Sequence, residues 1–210
     1  MDDSDQAYRA ICYCCFRPET HCMCRAVTPI KASRNIVVLQ HPNERKKYHA
    51  TAKLLKAWIQ NCKVLRGVQF SKEYLQSQCI DFELEDAVLL FPRNDQENLV
   101  TDQTGFDTLI VLDGTWSQAR KIFNQNPWLQ QLPRVQLTDP RVSQYKIRKQ
   151  PKLGFISTLE AVSYFMLGIT KEEGGSFEPY LNLLSGFEQM VRQQIDSIQD
   201  DELRSSLLEK

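Results

Sequence analysis

Glycine is scarce in this chain: eight among 210 residues, none of them in a G-x-G-x-x-G or G-x-x-x-x-G-K-[ST] arrangement. Dinucleotide-binding turns and phosphate-cradling loops need those spacings, because only a backbone without side chains lets successive amides close on a pyrophosphate. Neither site is expected. Long apolar runs are missing as well. None approaches the roughly 18–20 residues of a membrane-crossing helix, and the opening MDDSDQAYRA is acidic where a secretory leader carries lysines before an apolar block. The expectation is a cytoplasmic protein with no membrane partner. Net charge is also absent, 26 basic side chains facing 26 acidic ones, so global electrostatics argue neither for nor against a polyanion. There is no internal repeat and no low-complexity tract. With 42% hydrophobic residues, the chain can bury one full core and carry a small appendage.

Cysteine is the opposite case. Five of the seven lie in CYCCFRPETHCMC, residues 12–24, leaving Cys62 and Cys79 in the body of the chain. Cys12 and Cys15 form a C-x-x-C pair and Cys22 and Cys24 a C-x-C pair, so one tight loop can offer four thiolates to a tetrahedral zinc. Cys14 is then spare, and His21 is a second-rank substitute ligand. Disulfides fit poorly with a reducing compartment and a chain long enough to do without staples. A redox pair normally opens a helix after a strand, and no apolar strand precedes Cys12. A closed four-thiolate site folds its segment and does no chemistry itself. The reading divides the chain into a Cys-rich zinc-binding segment, 1–30, and a main domain, 31–210, with linker candidates at Thr28-Pro29 and at 170–179.

Beyond the loop, apolar strands alternate with amphipathic helices. Ile36 to Gln40 reads as a short buried strand closed by Pro42. Thr51, Leu54, Leu55, Trp58 and Ile59 recur at helical spacing and predict a helix from about Arg45 to Gln60. Strands are predicted over Val64 to Phe70, 87–92, 108–114 and 134–139. Helices are predicted from Trp116 to a stop at Pro127, over 157–169 with Gly168 helping to close, and from Phe177 or Glu178 to about Leu208. This alternation implies an α/β fold with a mostly parallel sheet covered on both faces.

In such a sheet ligands bind at the carboxyl ends of the strands. Three strands end suggestively: into Gln40-His41-Pro42-Asn43-Glu44, into Phe91-Pro92-Arg93-Asn94, and into Asp113-Gly114-Thr115-Trp116. Each polar residue also has a plain structural reading. Asp113 or Thr115 can cap the following helix, Trp116 can be a core aromatic, and Glu44 suits a helix start. Ser157 and Glu160 stand in capping-box spacing, although amides at that helix start also suit a carboxylate or phosphate. From 131 to 154 six basic residues, Arg134, Arg141, Lys146, Arg148, Lys149 and Lys152, face only Asp139, a net +5, whereas the chain beyond Lys171 turns acidic. That asymmetry is compatible with nucleic-acid contact on one face.

Taken in order, these features resemble the DTW-domain family, the tRNA-uridine aminocarboxypropyltransferases. The matching residues are the two cysteine pairs, the Q-H-P-x-E segment at Gln40–Glu44, Asp113-Gly114-Thr115-Trp116 with Ala119 and Arg120, and Tyr145-x-x-Arg148 leading into Ser157-Thr158-x-Glu160-Ala161. They span about two-thirds of the chain. The resemblance implies a SPOUT-like α/β fold with a C-terminal trefoil knot. It further implies transfer of the 3-amino-3-carboxypropyl group of S-adenosylmethionine to N3 of a tRNA uridine, releasing methylthioadenosine. On this reading Asp113, Thr115 and Trp116 are the catalytic candidates, Asp113 accepting the imide proton or aligning the base. An exposed aspartate, titrating near ~3.9, is a poor base for so weak an acid, so the role requires Asp113 to be partly desolvated or to act by orientation. The cofactor candidates are Gln40, His41, Pro42, Glu44, Pro92, Leu112, Asp113, Gly114, Arg148, Ser157, Thr158 and Glu160. Arg148 pairs with either the methionine carboxylate or an RNA phosphate, since its fork fits both. Phe16, Arg17 and Arg25 are available for an RNA contact from the cysteine loop. The expected partner is tRNA and the expected state a monomer. The rival readings are a SPOUT-type RNA methyltransferase and a non-catalytic zinc-containing RNA-binding module. A metal-dependent hydrolase built on His41, Glu44 and Asp113 lacks a dense acidic partner set.

Overall fold

The computed structural model describes residues 10–44, 51–78, 80, 83–91, 105–137, 143 and 156–198. Its centre is a five-stranded sheet made of β1 (Asn35–Gln40), β2 (Cys62–Arg66), β3 (Ala87–Leu90), β4 (Thr108–Asp113) and β5 (Arg134–Val135), in the order β2-β1-β4-β3-β5. Every pairing is parallel. The expected α/β class with a parallel sheet is borne out.

Alternation along the strands builds two cores. Ile36, Val38, Leu109 and Val111 point to one face, where α1 (Ala52–Trp58), α5 (Thr158–Glu172) and α6 (Glu178–Asp196) supply Leu54, Trp58, Phe165, Met166 and Phe187. Val37, Leu39, Ile110 and Leu112 point to the other, against α2 (Lys72–Ser77), α3 (Trp116–Gln125) and α4 (Pro127–Gln131) through Leu75, Ala119, Ile122 and Leu129. Burial on both faces explains why these strands read as continuous apolar runs. The connection leaving β1 runs through α1 on the first face, and the one leaving β4 runs through α3 and α4 on the second. The winding therefore reverses between these two central strands, which is where such folds open a crevice at the strands' carboxyl ends.

Several element boundaries differ from the expectation. The second strand is Cys62–Arg66, not 64–70: Gly67 N makes the last bond toward β1, to the Gln40 carbonyl at 3.1 Å, and Val68 and Phe70 are held by side chains instead. Phe70 N donates to Asn126 Oδ1 at 2.7 Å, Asn126 Nδ2 to the Val68 carbonyl at 2.8 Å, and Trp128 Nε1 to the Phe70 carbonyl at 2.9 Å. Pro127 does stop α3, but it also opens α4, where its missing N–H costs nothing. The short α2, capped by Ser71, is an addition. Gly168 lies inside α5. The helix ends instead at Glu172, with Gly174 at φ 73° and the Gly175 amide reaching back to the Thr170 carbonyl at 2.8 Å, a Schellman closure. Helix α6 is Glu178–Asp196, where an acidic side chain opposes the helix dipole and Ser197 takes the C-cap; 199–208, the rest of the predicted helix, lie outside the described residues. The predicted strand over 134–139 pairs only at Arg134–Val135; 138–139 and the predicted helical residues 45–50 lie outside the described residues.

The cysteine loop packs into the first core. Cys15, Met23 and Val27 are buried there, and Trp58 Nε1 donates to the Met23 carbonyl at 3.1 Å.

Candidate functional site

The loop around 12–24 closes as a knuckle. Phe16 N donates to the Cys12 carbonyl and Cys12 N to the Arg17 carbonyl, both at 2.8 Å, while Phe16 takes a left-handed φ of 57° to make the turn. This brings the sulfurs of Cys12, Cys15, Cys22 and Cys24 within 4.8 Å of one another, with Cys12 to Cys24 at 3.7 Å and Cys15 to Cys22 at 3.9 Å. A zinc–sulfur bond of about 2.3 Å sets the edge of a tetrahedron at roughly 3.8 Å, so the four thiols are spaced as a zinc shell requires. A disulfide needs about 2.0 Å. The Cys15 and Cys14 amides hold the Cys12 thiol down to about 6, whereas burial pushes Cys24 up. For Cys22 the Cys24 amide pulls down, but burial and the Cys12 sulfur leave it raised. Cys14 is exposed and outside the cluster. Burial drives Cys62 up to about 12, which makes it an inert core thiol. Arg17, one of the expected RNA contacts, is only 2% exposed. With the Gln194 amide oxygen turned toward it, its guanidinium donates at 2.9 and 3.2 Å. This arginine ties the knuckle to α6 and is turned away from solvent.

The second cluster forms at the carboxyl end of the sheet. Strand register places Arg66, Gln40 and Asp113 level across β2, β1 and β4. By the two-residue period, Gln40 continues the row of Ile36 and Val38, and Asp113 that of Leu109 and Val111. Both side chains therefore face α5. Gln40 is 0% exposed and Asp113 6%. Gln40 Nε2 donates to Asp113 Oδ2 at 2.8 Å, and Thr158 Oγ1, at the first turn of α5, donates to Oδ1 at 2.5 Å. Arg66 Nε donates to Gln40 Oε1 at 3.3 Å. One residue further on, His41 N donates to the Asp113 carbonyl at 2.9 Å and carries the ladder past the strand ends.

The remaining predicted site residues fall around this row. The His41 ring accepts from Asn43 N at its Nδ1 (3.3 Å), and Glu44 is buried in the same turn, Pro42–Glu44. Gly114 has no room for a side chain: a Cβ there would lie 2.9 Å from Gln118 Cβ and 3.5 Å from His41 Cβ. Thr115 is the N-cap of α3 in a full capping box with Gln118. Trp116 opens that helix with 40% exposure, beside Phe91 at 6.0 Å between ring centroids, and Phe91 in turn stacks on Phe123 at 5.3 Å. Trp116 is thus a rim aromatic, not a core one. Ser157 and Glu160 form the capping box of α5. The fully buried Glu160 carboxylate accepts from Ser157 N and from Ser143 Oγ, each at 2.7 Å. Leu112 turns to the opposite face, into the α2–α4 core. Pro92, Tyr145 and Arg148 lie outside the described residues, as does most of the basic 131–154 stretch. Sequence reasoning passed over Arg66 and named Phe91 only as part of a strand end. Nothing local marks Arg66, since its place beside Gln40 depends on strand register, whereas Phe91 belonged to a strand end that was already a candidate.

Chemically, the row offers a buried carboxylate at the carboxyl ends of β1 and β4, near a half-exposed indole and the start of α5.

Three relatives are similar to most of this chain, and all carry the name tRNA-uridine aminocarboxypropyltransferase 2. The Drosophila melanogaster protein is 36% identical over 160 residues, covering 72% of this chain and 63% of its own. The Mus musculus protein is 35% identical over 166 residues, 74% of this chain and 55% of its own. The Macaca fascicularis protein is 34% identical over 163 residues, with shares of 74% and 55%. The aligned part of the chain thus covers between 55 and 63% of these relatives' length. No solved structure matches the chain. Residues 9–195, from the knuckle to the last turn of α6, match the DTW domain, and the chain belongs to that family.

Proposed function

We propose that this protein transfers the 3-amino-3-carboxypropyl group of S-adenosylmethionine to N3 of a uridine in tRNA. The observation that carries the reading is Asp113, a nearly buried carboxylate held at the carboxyl ends of β1 and β4 in a chain whose relatives bear that enzyme name. In the reaction N3 attacks the γ-carbon of the methionine chain and the carbon–sulfur bond breaks. Its electron pair neutralises the sulfonium as methylthioadenosine leaves, and the imide proton departs.

Three carbons are bonded to the donor sulfonium, so the choice of group transferred is largely a matter of positioning. Asp113 accepts a hydrogen bond from the imide and orients it or takes its proton. Burial and the two hydrogen bonds donated to it hold the carboxylate in one orientation. Thr115 and Trp116 complete the catalytic set, the exposed indole packing on the base or the adenosine. Gln40, His41, Pro42, Glu44, Pro92, Leu112, Gly114, Arg148, Ser157, Thr158 and Glu160 form the donor pocket, Leu112 through its backbone. We assign the domain a SPOUT-like topology with its C-terminal knot. Cys12, Cys15, Cys22 and Cys24 would hold zinc, which supplies folding and no chemistry. Residues 1–30 form the metal-binding segment and 31–210 the catalytic domain. The basic 131–154 stretch and the knuckle's exposed Phe16 and Arg25 contact tRNA, whose modified uridine must be splayed out to expose N3. No helix among the described residues is long and apolar enough to cross a membrane; we propose a monomer in the cytoplasm.

The test is label transfer. The protein is incubated with unmodified tRNA and S-adenosylmethionine labelled in either the carboxyl or the methyl carbon. Carboxyl label in the RNA with methylthioadenosine released is expected. Methyl label with S-adenosylhomocysteine, or no label at all, overturns the assignment.

A further inference from the structure

We infer that Gln40 and Arg66 are positioning residues that clamp Asp113, so that Gln40 serves the carboxylate before it serves any donor molecule. The inference rests on the proposed activity for its kinetic test but on geometry for its content. Arg66, Gln40 and Asp113 are in register across three parallel strands, with their side chains on one face of the sheet. A glutamine amide is two-faced, its oxygen and nitrogen exchangeable by a half-turn of the last torsion. Beside a carboxylate only the nitrogen end is favourable. Gln40 is fully buried and has no water to correct a wrong orientation, and a buried polar group left unpaired is costly. Arg66, which can only donate, engages Oε1 at 3.3 Å and so turns Nε2 to Asp113 Oδ2 at 2.8 Å. Thr158 donates to the other oxygen at 2.5 Å. The carboxylate is gripped from β1 and from α5, and its plane is set before substrate arrives.

Preorganisation of this kind acts on the reacting geometry and not on ground-state binding. Arg66→Met in the full chain is expected to lower kcat at least about 10-fold with the KM for S-adenosylmethionine and for tRNA changed less than about 2-fold, and Arg66→Lys to recover a large part of it. Gln40→Leu, which keeps the volume and removes the donor, should lower kcat at least as far. A raised KM with kcat intact in Arg66→Met would make Arg66 a substrate-binding residue and overturn the clamp, as would unchanged kinetics. A second measurement needs no activity. With 15N-labelled glutamine side chains, one Gln40 amide proton is expected to exchange slowly in the wild type and fast in Arg66→Met and in Asp113→Asn. Equal protection in all three proteins would also refute the clamp. A wild type that transfers no label would sink the proposed activity and leave the amide measurement to decide the clamp on its own.

Discussion

At Gly114 the chain passes between Gln118 and His41 with no space for a methyl group. The glycine is required by this close approach and not by a left-handed φ, since Phe16 and Gly174 are the positive-φ positions among the described residues. Gly114→Ala is expected to cost about 1–3 kcal/mol of stability through overpacking against Gln118, and to displace the α3 capping box. Urea unfolding measures the first effect, and a midpoint equal to wild type would contradict it. Under the proposed mechanism the chemistry depends on Asp113. Asp113→Asn keeps the shape but replaces one accepting oxygen with a donor facing either Gln40 or Thr158. Transfer should fall by about 100-fold or more, while calorimetry still detects S-adenosylmethionine binding within a few-fold of wild type. Full turnover in this variant would remove Asp113 from the mechanism.

Among the elements, what matters to the site is where helices start. Both α3 and α5 begin with complete capping boxes, Thr115 with Gln118 and Ser157 with Glu160. Each box satisfies amides that the helix itself leaves unpaired. Because Thr158 is the first residue of α5, the cap on Ser157 also fixes the hydroxyl that reaches Asp113. Helix α2 supplies the control, since its N-cap Ser71 accepts from Tyr74 N at 3.2 Å and touches nothing in the site. Ser157→Ala is therefore expected to cost about 1 kcal/mol and to lower kcat as well, whereas Ser71→Ala should cost stability only. Denaturant unfolding and label transfer on the two variants separate a cap that only holds a helix from one that also places a catalytic contact. Equal kinetic effects would contradict the distinction.

Across the whole molecule, the knuckle and the sheet share one core. Gly186 on α6 leaves room for Val27, since a Cβ there would approach Val27 Cγ2 to 2.3 Å, and Arg17 reaches Gln194 on the same helix. Removing the proposed zinc with a strong chelator is therefore expected to lower the Tm of the whole chain in a single calorimetric transition. A separate low-temperature transition for the loop would show that the knuckle melts alone. Binding to tRNA through basic side chains releases counterions, so its affinity should fall steeply as salt rises from about 50 to 200 mM. An affinity that is flat over that range would count against phosphate contact.

How much of this was legible beforehand follows from the range of the forces involved. Strand periodicity, the capping spacings at 115–118 and 157–160, and the paired cysteines are local patterns. They suffice for the α/β class, the thiol cluster and the candidate carboxylate at a strand end. Helix ends were less legible: α5 runs past Gly168 to a closure at Gly174, because tertiary burial and caps outweigh single-residue preferences. Which side chains meet is a matter of the folded chain alone. Arg66, Gln40, Asp113 and Thr158 come together because parallel strands align in one register and α5 returns to their carboxyl ends, and Arg17 turns inward because α6 offers it an acceptor. Asp113 lies 45 positions from Thr158 and 73 from Gln40, separations over which no local pattern carries information.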